Sequence, residues 1–332
     1  MRVLVTGANG FVGAALCRTL LAENLTVLGV LRSASRNGDL PVGVQPVVVE
    51  SLNDLPANEP TIGPLDCVVH LAARVHQMQD KAADPLAAFR EVNTQATASL
   101  ARWAVRQGVR RFVFLSSIKV NGEGQSRAET PHVYTEQNPV APGDPYGISK
   151  WEAEMELQQI AAETALETVI LRPTLVYGPE VKANFRQLLR LTSAGLPLPL
   201  GRLNNVRSLI YLGNLVDAIR VCLAHPQAAG ETFLVSDGSD LSTSRLIHEL
   251  AIALGCSTRL FPFSPVWLER LGRVSGKSSV MQRLLGTLHV DSRKIRQTLD
   301  WQPPYTVQQG LRATADWYQQ FNSDLRLARR AA

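Results

Sequence analysis

In the stretch YGISK, Tyr146 and Lys150 stand four residues apart, a spacing that puts both on one face if the segment is helical. A phenol ionises near pH 10 and alone is a poor proton shuttle at neutral pH. A neighbouring ammonium favours the phenolate, so the two types together make an acid/base pair. Tyr-x-x-x-Lys also arises by chance in many helices. It gains meaning from RFVFLSS, an apolar run ending in Ser116 and Ser117, whose hydroxyl can sit beside the tyrosine where a reacting oxygen would lie. The chemistry of such a trio is proton transfer at a carbonyl or hydroxyl oxygen.

A second pattern names what accompanies that proton. GANGFVG sets Gly7, Gly10 and Gly13 directly after the first apolar run and at the mouth of the first helical pattern. Small residues there let backbone N–H groups approach a pyrophosphate, and the helix N-terminus adds a favourable field. A plain tight turn uses the same residues, so the position after a strand is what carries the dinucleotide reading. The positive ring of an oxidised nicotinamide would itself favour the Tyr146 phenolate. The end of the second strand speaks to which cofactor. An acid there would bind the ribose of NAD, but the sequence reads GVLRSASR. Arg32 and Ser33, with Arg36, are suited to a 2′-phosphate, so NADP(H) is the expectation and NAD(H) the alternative. Arg32 as a solvated loop residue stacking on adenine is the plainer reading.

These residues need elements to hold them. RVLVTG, TVLGVLR, VQPVVVE, DCVVHLAA and RFVFLSS read as buried strands separated by helical stretches, including DPLAAFREVNTQATASLARWAVRQG. That alternation predicts a doubly wound parallel sheet, α/β and Rossmann-like, with strands covered on both faces. From 118 to 146 the texture turns to Gly, Pro, Asn and Glu, a loop long enough to suggest function. A helix from 150 to about 163 and a strand ETVILRPTLVYG follow. We expect residues 1–175 to form the dinucleotide-binding domain and 176–332 a smaller α/β substrate lobe, interleaved because NVRSLIYL and ETFLVSD are strand-like too.

Composition narrows the classes. With 332 residues, 45% apolar and 19% charged, the chain is an ordinary globular protein. Its net charge of +5 includes no basic run of the kind that binds nucleic acid. Residues 255–296, however, hold eight basic residues against two acidic ones and point to an anion. Cys17, Cys67, Cys222 and Cys256 lack metal or redox spacing and read as structural thiols of a reducing compartment. The histidines show no ligand spacing, so no metal is assigned, and His70 reads as a core residue. No apolar run nears the roughly 18 residues of a membrane span, and no leader is evident. The expectation is cytoplasmic, with peripheral membrane contact left open.

The same residues resemble the extended short-chain dehydrogenase/reductases, in the branch of nucleotide-sugar 4-epimerases and 4-ketoreductases. VTGANGFVG, VVHLAA, EVNTQAT, FVFLSSIKVNG, TEQNPVAPGDPYGISK, LRPTLVYGP and DSRKIRQTLDWQPPYTVQQGL fall in that family's order over nearly the whole chain. The resemblance implies Ser117 as the catalytic serine, Tyr146 as acid/base and Lys150 as its partner, also holding the nicotinamide ribose. It implies Gly7, Gly10, Phe11, Val12 and Gly13 at the pyrophosphate, Leu71, Ala72 and Ala73 at the adenosine, and Pro173 and Thr174 at the nicotinamide. For a UDP-sugar substrate it implies Asn184 and Arg207, with Arg283 a weaker candidate, and Ser117 at the reacting oxygen. A homodimer is common in the family and is expected. Two departures, the missing acid after the second strand and R-S-L-I-Y-L where epimerases often read R-D-Y-I-H-V, favour an enzyme that releases its cofactor. The leading expectation is therefore NAD(P)H-dependent reduction at C4 of a UDP-linked 4-keto sugar, a 6-deoxy N-acetylhexosamine for surface polysaccharide. The alternative is a UDP-glucose or UDP-N-acetylglucosamine 4-epimerase with bound NAD. A non-catalytic cofactor-binding protein would normally carry a broken trio, and this one is intact.

Overall fold

Seven of the apolar runs pair into one parallel sheet in the computed structural model, which describes all residues except 33–38, 53, 56–61, 76–82, 123–131, 277 and 332. In chain order they are β1 (Arg2–Thr6), β2 (Thr26–Leu31), β3 (Gln45–Val48), β4 (Cys67–His70), β5 (Arg111–Leu115), β7 (Glu167–Pro173) and β10 (Thr232–Val235). The order across the sheet is β3-β2-β1-β4-β5-β7-β10, every pair parallel. From β1 the chain winds to one side through β2 and β3, then to the other through β4. The C-terminal ends of β1 and β4 thus flank the switch point where such sheets bind ligands.

Side chains alternate between the two faces with period two. Val3 and Val5 join one apolar layer with Leu16, Cys17 and Leu20 of α1 (Phe11–Ala22). Leu4 joins the other, with Leu100 and Trp103 of the helix Ala96–Arg106 and Leu157 and Ile160 of the helix Pro145–Glu163. Each such aliphatic side chain, buried, contributes about 2 kcal/mol. The thiols serve this packing: burial pushes Cys17 and Cys222 up to about 12 and Cys67 to about 11, far from reactive thiolates.

Three differences from the sequence reading bear on the site. The long helical run near residue 90 is not one helix. It splits into α2 (Pro85–Phe89), a π-helical turn (Arg90–Gln95) and α3 (Ala96–Arg106). The helix expected from 150 begins five residues earlier, as α4 (Pro145–Glu163), because Asp144 caps it by accepting from Gly147 N at 2.7 Å and Pro145 opens it. The run ETVILRPTLVYG breaks at Thr174: β7 ends at Pro173, and β8 (Leu175–Tyr177) pairs instead with β9 (Leu209–Tyr211).

The second half is more regular than its sequence suggests. It contains α5 (Ala183–Ser193), α6 (Leu212–Ala224), α7 (Thr243–Ala253), α8 (Pro265–Val274), α9 (Ser278–Leu285), α10 (Arg293–Leu299) and α11 (Val307–Ala331). Tyr177, Phe185, Leu189, Leu250 and Leu311 form its core, while β10 returns to the main sheet beside β7. A short β6 (Val133–Tyr134) pairs with β11 (His289–Val290). Among the described residues no helix is long and apolar enough to cross a membrane.

Candidate active site

The glycine turn follows β1 directly. Gly7 has φ +69°, and Gly10 N donates to Gly7 O at 2.9 Å to close the turn. A Cβ on Gly7 would meet Ala72 N at 2.9 Å, and one on Gly13 would meet Gly7 O at 2.0 Å, so only glycine allows this approach. Helix α1 starts behind Gly10 with no side-chain cap and no acid in its first turn. Its first N–H groups are therefore available to an anion, which is what a dinucleotide pyrophosphate requires. Phe11 and Val12 pack on the core below the turn.

The strand end opposite is locked by a polar relay that sequence reasoning did not find. Thr6 Oγ1 accepts from Leu71 N at 3.2 Å and Ala72 N at 3.1 Å, fixing the backbone of the residues assigned to the adenosine side. The same hydroxyl meets His70 Nδ1 at 2.6 Å, and His70 Nε2 meets Thr97 Oγ1 at 2.8 Å. Thr97 donates its own proton to Asn93 O at 2.6 Å, so the neutral imidazole carries its hydrogen on Nε2. Burial, with Lys150 adding repulsion, pushes His70 down to about 3. It is a structural imidazole stacked on Phe114.

At the C-terminal end of β5 the expected trio converges. Ser117 caps the short 3-10 turn Ile118–Val120, accepting from Lys119 N at 3.2 Å, and its hydroxyl stands near enough to the Tyr146 hydroxyl to favour the phenolate. Tyr146 and Lys150 lie one turn apart on α4, with Lys150 only 1% exposed and its Nζ 3.9 Å from the Phe114 ring centroid. Phe89 meets the Tyr146 ring edge-on, and Lys119 pairs with the capping Asp144. Pro173 ends the neighbouring β7 and Thr174 follows it, with Thr174 N donating to Val235 O at 3.1 Å.

The electrostatics correct one expectation. Lys150 was expected to hold the tyrosine's pKa down. Instead burial, with Asp144 adding repulsion, pushes Tyr146 up to about 12 although the nearby Ser117 hydroxyl opposes it, and burial pushes Lys150 down to about 7 although Glu154 opposes it. Desolvation outweighs the pairing in the protein alone. At neutral pH Tyr146 therefore starts as the neutral phenol and Lys150 close to half-protonated, and a phenolate requires additional positive charge in the site.

Behind the trio lies a buried ionic network. Glu154 is 0% exposed, accepts from Ser116 Oγ and is gripped by Arg172 through Nε, at 3.0 Å, and through a second nitrogen. Arg172 also donates to Asn121 Oδ1 at 2.9 Å. Asn93, in the π-helical turn, accepts from Arg74 N at 2.8 Å and donates to Ser149 Oγ at 3.0 Å, tying that turn to α4. EVNTQAT was the available signal for Asn93. Nothing local marks Glu154.

The remaining assigned residues fare differently. Arg32 is exposed just after β2, while Ser33 and Arg36, expected with it at a 2′-phosphate, lie outside the described residues. Asn184 is exposed in the first turn of α5. Arg207 precedes β9, its backbone bridged to Leu241 and Leu288, and burial holds its guanidinium below the usual value. Arg283 falls on α9, with its side chain outside the described residues.

A parallel sheet with a glycine turn at its switch point and a Ser–Tyr–Lys cluster two strands away defines a dinucleotide-dependent enzyme fold. Comparison with known proteins agrees. The profile of the NAD dependent epimerase/dehydratase family matches residues 3–236, and the chain belongs to that family. It is 46% identical over 325 residues to a UDP-glucose 4-epimerase of Vibrio cholerae, covering 97% of this chain and 96% of the relative. It is 28% identical over 330 residues, 95% of this chain and 94% of the relative, to an N-acetyl-alpha-D-glucosaminyl-diphospho-ditrans,octacis-undecaprenol 4-epimerase of Escherichia coli O157:H7. Among solved structures, the UDP-glucose 4-epimerase of Thermus thermophilus, in complex with NAD, superposes with a TM-score of 0.73 at 26% identity, covering 96% of this chain and 99% of that one.

Proposed function

We propose that the protein is a UDP-hexose 4-epimerase using NAD, in place of the 4-ketoreductase and the NADP(H) preference expected from sequence. The observation that carries it is the cluster of Ser117, Tyr146 and Lys150 at the strand ends, in a chain 46% identical to a UDP-glucose 4-epimerase. NAD is preferred because the Thermus thermophilus UDP-glucose 4-epimerase, similar over 96% of this chain, is a complex with NAD. In this reading residues 1–175 hold the cofactor and 176–332 the sugar nucleotide, and the enzyme is a homodimer.

The cradle of Gly7, Gly10 and Gly13, with Phe11, Val12, Leu71, Ala72 and Ala73 beside it, fits a dinucleotide. Bound there, a nicotinamide cofactor supplies a hydride acceptor and donor. The chain supplies the proton chemistry. Ser117 Oγ hydrogen-bonds the C4 oxygen of the sugar and orients it toward Tyr146. Tyr146 removes the C4 hydroxyl proton as C4 is oxidised and returns it when the opposite face is reduced. Lys150, close to half-protonated near neutrality, takes up positive charge as the phenolate forms, offsetting its burial. Arg207 pairs with the diphosphate, with Asn184 and Arg283 on the same ligand.

The test is to incubate the purified protein and NAD with UDP-galactose, and separately UDP-glucose, and to separate the products. One equilibrium mixture from either start, with no net change in nicotinamide absorbance, is expected. Tyr146→Phe should slow it by a hundredfold to ten-thousandfold. No interconversion, together with stoichiometric NADPH or NADH oxidation by a UDP-4-keto sugar, would restore the reductase.

A further inference from the structure

The basic stretch 255–296 is only partly consumed by the fold. Arg293 pairs with Asp291, Lys294 with Glu231, and Arg296 donates to the Asp237 carbonyl. Two others of the described basic residues, Arg270 and Arg273, lie on α8. Leu268 packs on Leu200, Leu203, Ile247 and Leu285, and Gly272 is buried one turn on, which fixes the rotation of the helix about its axis. With that face inward, Trp267, Leu271 and Val274 face water at 55%, 57% and 90% exposure. Their i, i+4, i+7 spacing places them within about 60° of one another on the helix surface. Trp267 is the one strongly exposed tryptophan among the described residues, and the exposed Val266 precedes it in the chain.

Exposed Arg270 and Arg273 both lie on one side of this stripe, Arg270 at its edge and Arg273 further round, one turn from Glu269, and the Arg270 guanidinium lies 5.0 Å from the Trp267 ring centroid. Glu269, the acidic residue of the helix, is half-buried and falls on the opposite side. An apolar stripe with a tryptophan and a basic edge matches an interfacial helix, whose apolar face enters the headgroup boundary while its arginines meet phosphates. An antiparallel two-fold contact through this face would set the arginine-bearing edges of two copies against each other, and charge therefore favours an anionic partner.

We propose that α8 docks this enzyme reversibly on an anionic phospholipid bilayer through Trp267, Leu271 and Val274, with Arg270 and Arg273 on lipid phosphates. No catalytic or ligand-binding residue is required for it, so it stands apart from the epimerase reading. Its test is co-sedimentation of the full chain with phosphatidylcholine vesicles with and without phosphatidylglycerol. Binding should require the anionic lipid and weaken in high salt. The pair Arg270→Glu with Arg273→Glu should lower the partition coefficient at least about tenfold, each arginine near the surface being worth about fivefold. Trp267→Ser with Leu271→Ser should do the same while UDP-hexose interconversion in solution stays at the parent rate. Equal sedimentation with neutral and anionic vesicles, or binding unchanged in both variants, overturns the proposal. So does a lipid-independent dimer, measured by light scattering, that Trp267→Ser with Leu271→Ser dissociates, since the face would then be a subunit interface.

Discussion

Gly13→Ala tests the cofactor cradle most directly. An ideal Cβ at residue 13 lies 2.0 Å from Gly7 O, 2.8 Å from Gly7 C and 2.9 Å from Ala8 Cα, all backbone atoms that cannot rotate away. Restoring ordinary contact needs the turn to open by more than about 1 Å, and that turn presents the N–H groups. Overpacking of this kind costs about 1–3 kcal/mol. For a chain of 332 residues this lowers Tm by about 1.5–4 °C. The larger effect falls on binding, because a charge-assisted hydrogen bond is worth about 1.5–3 kcal/mol and one or more would be lost. NAD affinity should therefore fall by about tenfold to a thousandfold, read by calorimetric titration alongside a thermal scan. Two controls grade the effect. At Gly10 the nearest atom to an added Cβ is Gly7 O at 3.0 Å, so Gly10→Ala should be milder. Gly108→Ala carries only the strain of φ +68°, with no atom within 4 Å, and should leave affinity untouched. Parent-like NAD affinity in Gly13→Ala would refute the cradle.

Removing the acceptor of the buried network, as Glu154→Ala, leaves the Arg172 guanidinium uncompensated and should cost about 3–5 kcal/mol, or about 4–7 °C in Tm; an unchanged calorimetric Tm would show the network to be idle. Burial lowers the Lys150 pKa from 10.5 to about 7, so the unfolded chain binds the extra proton between those values and stability is lost as pH falls from 10.5 toward 7. Lys150→Met should accordingly be more stable than the parent in urea at pH 7, with an advantage that shrinks by pH 10; a constant difference across that range contradicts the assignment. For His70, at about 3 in the fold against 6.5 unfolded, stability declines as pH falls from 6.5 toward 3 at about 1.4 kcal/mol per pH unit. Its imidazole resonances should stay flat from pH 8 to 5, and a midpoint near 6.5 would mean the ring is not buried between Thr6 and Thr97.

Local chemistry made part of this protein legible without coordinates. The glycine spacing of GANGFVG, the four-residue offset of Tyr146 and Lys150 and the two-faced apolar strands depend on backbone geometry over a few residues, and each appears where sequence places it. What required the tertiary structure spans long separations or depends on burial. Thr6 and His70 are 64 positions apart, Asn93 and Ser149 are 56 apart, and Glu154 meets Arg172 only because α4 lies across the end of β7. The split of the run near residue 90 into a π-helical turn follows from the partners Asn93 finds in Arg74 and Ser149, which no local propensity encodes. The balance between Tyr146 and Lys150 was misjudged for the same reason. Sequence shows that a cation stands one turn from a phenol, but only the packed fold decides how much water each has lost, and desolvation governs the outcome.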